Sequence, residues 1–164
     1  MKMLSIVRPL VITSAFLACG FAQANLIQNG SFENGTDPGG FTKLVAVNNT
    51  SITDWTVSAG TIDYIGGYWQ AAEGARSIDL VGDGGLLGKL SQTFNTTIGS
   101  LYTVQFAMAG NPVDGGVKRM KVVAGGESPE FVFDTAGKST TAMGWETKSF
   151  QFTALAAQTT LSFE

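Results

Sequence analysis

The feature that most constrains this chain is a two-residue hydrophobic alternation, cut into short runs by paired glycines. Gly-Gly pairs fall at 39–40, 66–67, 84–85, 115–116 and 125–126. Leu101–Met108, LYTVQFAM, sets Tyr102, Val104, Phe106 and Met108 on one side and Thr103 and Gln105 on the other. Residues 145–153, WETKSFQFT, put Phe150 and Phe152 on a face with Lys148, and 77–81, SIDLV, oppose Ile78 and Leu80 to Asp79. A period of two is the mark of a half-buried strand, and short strands punctuated by turn signals about every ten residues build a sandwich or barrel.

Further strands are expected at 25–33, 52–57, Thr61–Ile65, 89–94, 118–124, Glu130–Asp134 and 159–163. The total is about nine or ten strands with few helices. Residues 41–49 are less regular and read as a loop. No linker divides the chain, so a single all-β domain is expected. The last segment, 155–164, still reads as a strand where the sequence stops, which predicts an unpaired edge there. Residues 81–88, VGDGGLLG, lack the Lys-Ser/Thr and the helix of a phosphate loop and read as a hairpin.

The first 24 residues carry a different signal. Lys2 and Arg8 precede the apolar run of residues 11–21, and Ala22-Gln23-Ala24 supplies small residues for cleavage. This is the pattern of a secretory leader cut after Ala24, and its apolar run is too short to span a bilayer. The expected organisation is a leader at 1–24 and one domain at 25–164, secreted or on the cell surface, with no membrane insertion of the mature domain. The one cysteine, Cys19, lies inside the leader. A lipidated Cys19 is the alternative, and Phe16-Leu17-Ala18 before it fits that signal poorly. With Cys19 removed the domain has no disulfide to rely on.

Charge narrows the partners. Without Lys2 and Arg8 the remaining eight basic and thirteen acidic residues leave a net charge of −5. No run of Lys or Arg exists, which argues against nucleic acid. The chain has no histidine. Ser-His and Cys-His nucleophilic machinery and His-ligated zinc therefore have no residues to build them after the leader. Glycoside hydrolysis needs two facing carboxylates, and on one strand face they would read acid-x-acid. No such pair occurs, so no enzyme activity is expected; a cross-strand pair joining Glu73 to Asp79 or Asp63 is the arrangement left open.

The richest stretch chemically is residues 63–82, DYIGGYWQAAEGARSIDLVG. Sugar rings stack their C–H faces on Trp and Tyr. Covering about 100 Å² in this way gains about 2.5 kcal/mol. Millimolar affinity needs about 4 kcal/mol, so a second ring or hydrogen bonds are required. Tyr68 and Trp69 are adjacent and point oppositely on an extended backbone. Tyr68 is read as the exposed ring and Trp69 as the one that plugs the fold, with Tyr64 or Trp55 as a second platform. Trp55 and Trp145 otherwise read as core. Glu73 and Arg76 are candidates for hydrogen bonds to hydroxyls, or for pairing with each other.

Several segments together carry a family resemblance. They are NLIQNGSFE at 25–33, ITDW at 52–55, TVSAGTIDYIGGYWQAAEGARSIDLVG at 56–82, LSQTF at 90–94, YTVQFAMAGNP at 102–112 and MGWETKSFQFTA at 143–154. The chain resembles the choice-of-anchor C family, related to the domain-of-unknown-function 642 proteins, over nearly all of 25–164. The resemblance implies a jelly-roll β-sandwich of the galactose-binding-like fold on an exported bacterial surface or matrix protein. It also implies polysaccharide as the partner, by analogy with plant relatives. The sequence departs from that family in having neither a sorting tail nor the final Leu-Asp-Asn-Val-like strand, so a shortened chain is expected. NGSFE resembles the start of modules in which the glutamate, here Glu33, helps to hold a structural Ca²⁺; the alternative is a surface Glu in a turn. The reading is an exported, non-catalytic carbohydrate-binding-like domain with Tyr64, Tyr68, Trp69, Glu73 and Arg76 as ligand contacts. Its rival is a structural surface or biofilm-matrix protein acting through protein contacts.

Overall fold

The computed structural model describes residues 25–164 apart from Asn49 and Asp83, together with the backbone of one strand near the N-terminus. The rest of the expected leader, with Cys19 and the cleavage position at Ala24, lies outside the described residues. Thirteen strands follow in chain order: β1 Lys2–Val7, β2 Phe41–Val45, β3 Thr56–Ala59, β4 Thr61–Ile65, β5 Ser77–Asp79, β6 Val81–Gly82, β7 Leu86–Leu87, β8 Lys89–Asn95, β9 Leu101–Met108, β10 Val117–Val123, β11 Glu130–Asp134, β12 Glu146–Thr153 and β13 Gln158–Phe163. Every strand pairing is antiparallel, and no helix occurs among the described residues.

The fold is an all-β sandwich. A five-stranded sheet runs β11-β10-β13-β8-β3, and three-stranded sheets run β1-β9-β12 and β2-β4-β5. The alternation in β9 is what joins the layers. Tyr102, Val104, Phe106 and Met108 are all buried, while Leu101 and Gln105 on the other face are exposed. Phe106 meets Phe163 of β13 at 5.4 Å and Phe131 of β11 at 5.1 Å, both edge to face. Burying each such ring contributes roughly 1.5–3 kcal/mol, so these few contacts outweigh any single polar interaction described below. Leu44, Ile62, Tyr64 and Ile78 bring the β2-β4-β5 sheet onto the same core.

Three expectations are corrected here. The segment 155–164 is not an unpaired edge, because β13 lies between β10 and β8 and pairs with both. Residues 41–49 are not all loop. They contain β2, an outer strand paired only with β4, in which Leu44 alone is buried. A strand that buries one side chain leaves almost no alternation to read. Residues 25–33 form a turn rather than a strand. The Asn29 side chain takes over the backbone's partners there, accepting from the Asn34 amide and donating to the Asn34 and Thr53 carbonyls. Asparagine competes with sheet hydrogen bonding in this way. On the other side Gln92 of β8, 7% exposed, clamps the segment with its amide, accepting from Gln28 N and donating to the carbonyls of Gln28 and Asp54.

Candidate functional site

The loop between β4 and β5 answers to two of the glycine pairs. Gly66 N and Gly67 N donate to the carbonyls of Gly40 and Gly39, each at 2.9 Å. A Cβ on Gly66 would lie 2.2 Å from the Gly39 oxygen, so only glycine permits this backbone approach. The next two side chains differ in burial although their rings meet edge to face at 5.6 Å. Tyr68 is 42% exposed and meets the exposed Phe41 edge to face at 5.4 Å. Trp69 is 7% exposed, packs with Ile65 and Met143 in a small second core, and donates its indole N–H to Ser77 Oγ at 2.8 Å.

Three of the other candidates assemble into a brace. Tyr64 faces the main core at 1% exposure and donates its hydroxyl to the Phe32 carbonyl at 2.6 Å. Arg76 Nη1 donates to that hydroxyl at 2.6 Å and to the Gly35 carbonyl at 3.1 Å, with the guanidinium 5.3 Å from the Tyr64 ring centroid. Burial raises the Tyr64 pKa above its ordinary value, against the opposing pull of the Arg76 hydrogen bond and charge. Glu33 Oε1 accepts from the amides of Ala75 and Arg76, each at 3.0 Å. Glu33, Tyr64 and Arg76 thus tie the turn after Phe32 to the segment entering β5. Glu73 sits on the exposed turn just before it.

The two amides point their hydrogens at Glu33 Oε1, and a calcium site would have to add further oxygens around this carboxylate. Among the described residues no group of three acidic, histidine or cysteine side chains is placed to hold a metal.

A cleft of about 370 Å³ lies against Trp69, within the range of small-ligand sites. It lies between β5, the end of β9, the start of β10 and the turn before β12. Met108, Met120, Met143 and Trp69 supply its apolar walls. Trp145 lines it as a half-buried ring, its indole N–H donating to the Gln70 carbonyl at 2.9 Å. Asp79 shares the Ser77 face of β5, the face that Trp69 covers. Its Oδ1 accepts from Val81 N at 3.1 Å and its Oδ2 from Asn111 Nδ2 at 3.2 Å. Asp114, Lys118 and Arg119 complete the polar lining.

Asp63 is the register partner of Asp79 across β4 and β5, and directly opposed residues share a face. Asp63 is 8% exposed and does not line the cleft. A ligand in the cleft meets the carboxylate of Asp79 but not that of Asp63.

Of the six residues singled out from sequence, Trp69 alone lines the cleft. Asn111 and Trp145 were missed as site residues, and Asp79 entered only as one arm of a cross-strand carboxylate pair with Glu73. Their signals were present but weak: Asp79 breaks an apolar run, Asn111 precedes Pro112 at the end of β9, and Trp145 follows Gly144. Nothing local says that these three segments meet.

The chain is 34% identical over 147 residues to halomucin of Haloquadratum walsbyi, an alignment that takes in 86% of this chain and 2% of halomucin. The chain therefore spans about 2% of the length of that relative. A solved structure described as "CBM4 structure and function" is similar at 19% identity and a TM-score of 0.44, over 84% of this chain and 87% of the other. The family model described as "Protein of unknown function (DUF642)" matches residues 25–164, and the chain belongs to that family.

Proposed function

We propose that residues 25–164 form a non-catalytic carbohydrate-binding domain, exported by its leader, that takes a saccharide from an extracellular or cell-wall polysaccharide in the Trp69–Trp145 cleft. One observation carries this reading: the half-buried Trp145 ring lines the same cleft as the hydrogen-bonded Asp79–Asn111 pair. An aromatic face beside converging polar groups is what a sugar needs, because its ring has an apolar C–H face and a hydroxyl edge. The magnitudes agree. Covering about 100 Å² of apolar surface gains about 2.5 kcal/mol, and two hydrogen bonds of roughly 1 kcal/mol each bring the total past the 4 kcal/mol of a millimolar complex.

The exposed Tyr68–Phe41 pair is the second aromatic surface, and in this reading it extends contact along a longer chain. Glu73 and Arg76 lie on the same loop, with Arg76 engaged in the brace. The rival, a structural surface protein, draws on the apolar β6–β7 hairpin, where Leu86 and Leu87 are 61% and 79% exposed.

Retention of the folded, exported protein on a panel of insoluble and gel-embedded polysaccharides tests the choice. Trp145→Ala is expected to abolish retention and Tyr68→Ala to weaken it. No retention of the folded parent on any polysaccharide, together with self-association in light scattering, would replace this reading by the structural one.

A further inference from the structure

Every methionine after the leader lines one cleft. The chain has five, two of them at positions 1 and 3. The other three, Met108, Met120 and Met143, are 2%, 5% and 1% exposed and form the floor. They come from three separate segments, the end of β9, β10 and the turn before β12, so no local strand pattern requires all three to be thioethers. A thioether donates no hydrogen bond and accepts only weakly, and its flexible chain moulds to an apolar guest. A hydroxyl pressed onto this floor would lose its water without gaining a partner.

The rim has the opposite character. Asp79 holds one N–H on each oxygen and keeps its other lone pairs, and Asn111 Oδ1 accepts from Val113 N at 3.0 Å. The Asp79 and Asp114 carboxylates remain as acceptors for a ligand, with the Lys118 ammonium, the Arg119 guanidinium (also paired with Glu130) and the second Asn111 N–H as donors. The site thus asks for a group that donates a hydrogen bond at the rim, accepts one beside it, and ends in a small apolar tip.

We propose that the cleft selects an acetamido sugar, a proposal that rests on the reading of this cleft as a saccharide site. The acetamido N–H donates to Asp79, its carbonyl accepts from Asn111 or Lys118, and its methyl enters the methionine floor. A hexose with a hydroxyl at the same carbon satisfies the rim and leaves the floor uncovered.

The experiment is calorimetric titration of the exported protein with matched pairs differing only at that carbon. N-acetylglucosamine oligomers are set against glucose oligomers of equal length, and N-acetylgalactosamine against galactose. Glucosamine oligomers separate the methyl from the nitrogen. The acetylated member of one pair is expected to bind at least tenfold more tightly than either its hydroxyl or its amino counterpart, and Asp79→Asn is expected to shrink that ratio. Equal binding of acetylated and hydroxyl sugars would overturn the proposal and leave the carbohydrate reading standing. Glucosamine oligomers matching the acetylated ones would also overturn it. Failure of every sugar to bind a protein whose β circular dichroism is intact would remove both.

Discussion

Arg76 Nη1 lies 2.6 Å from the Tyr64 hydroxyl, and that hydroxyl donates to the carbonyl of Phe32, a residue held at φ 62°. A left-handed backbone at an aromatic residue costs of order 1–3 kcal/mol, so neighbouring contacts must hold it in place. Tyr64→Phe keeps the ring and removes the link. It is expected to destabilise the domain by about 1–3 kcal/mol, because the Phe32 carbonyl loses its partner in a buried setting. A thermal melt should fall by about 3–10 °C. An unchanged melting temperature would mean that the brace is not a source of stability.

The same tyrosine makes stability depend on alkaline pH in a defined direction. Burial raises the folded pKa above the ordinary value of 10.0. Above about pH 10 the unfolded state loses this proton while the folded state keeps it, so the unfolded state binds fewer protons and stability falls as pH rises. Below the unfolded pKa the contribution is fully present. Comparing denaturant midpoints of parent and Tyr64→Phe from pH 8 to pH 11 isolates the effect. The parent should lose more stability above pH 10 than the variant, and parallel curves would contradict this assignment.

Glu33 is predicted to act as a brace rather than as a metal ligand. Glu33→Ala, which releases the amides of Ala75 and Arg76, should cost about 1–2 kcal/mol and speed hydrogen exchange at residues 73–76. Millimolar Ca²⁺ should move the melting temperature by no more than about 1 °C, since a ligand that binds the folded state in excess of its Kd must stabilise it. A rise of several degrees, lost in Glu33→Ala, would restore the calcium reading.

Gly125 is irreplaceable for a packing reason. Its φ is 59°, and a Cβ there would lie 2.2 Å from Cδ2 of Phe152. Phe152 stacks on Tyr102 at 5.4 Å, so moving the one ring disturbs the other. Gly125→Ala combines about 1–2 kcal/mol of backbone strain with about 1–3 kcal/mol of overpacking. It should lower the denaturant midpoint more than Gly137→Ala, where φ is 71° and a Cβ meets nothing within 4 Å. Equal losses at the two positions would leave strain as the only cause.

The sequence was legible where a strand has two different faces. Strands β8, β9, β10, β12 and β13 were anticipated to within a few residues because each carries a period of two against the core, while β4, buried along its whole length, and β11 were read as short apolar runs. Legibility failed where side chains replace strand pairing, as Asn29 and Gln92 do around residues 25–33, and where a strand such as β2 buries only Leu44. At the site, the exposed Tyr68 and the buried Trp69 were anticipated, but not the contact between their rings, because a turn rather than an extended backbone carries them. The cleft was not anticipated, because Asp79, Asn111 and Trp145 are brought together only by the pairing of distant strands.

The division of the tryptophans gives the molecule its own optical reporter. Trp55 is 2% exposed, wedged against Phe32 and Phe163 in the main core, while Trp69 and Trp145 border the cleft. Indole emission follows the polarity around the ring. One emitter therefore tracks the integrity of the sandwich, and the other two sense whatever occupies the groove. A guest that displaces water there should change emission intensity while the deeply set indole keeps its blue-shifted spectrum, so occupancy and unfolding have separable signatures in one unlabelled sample.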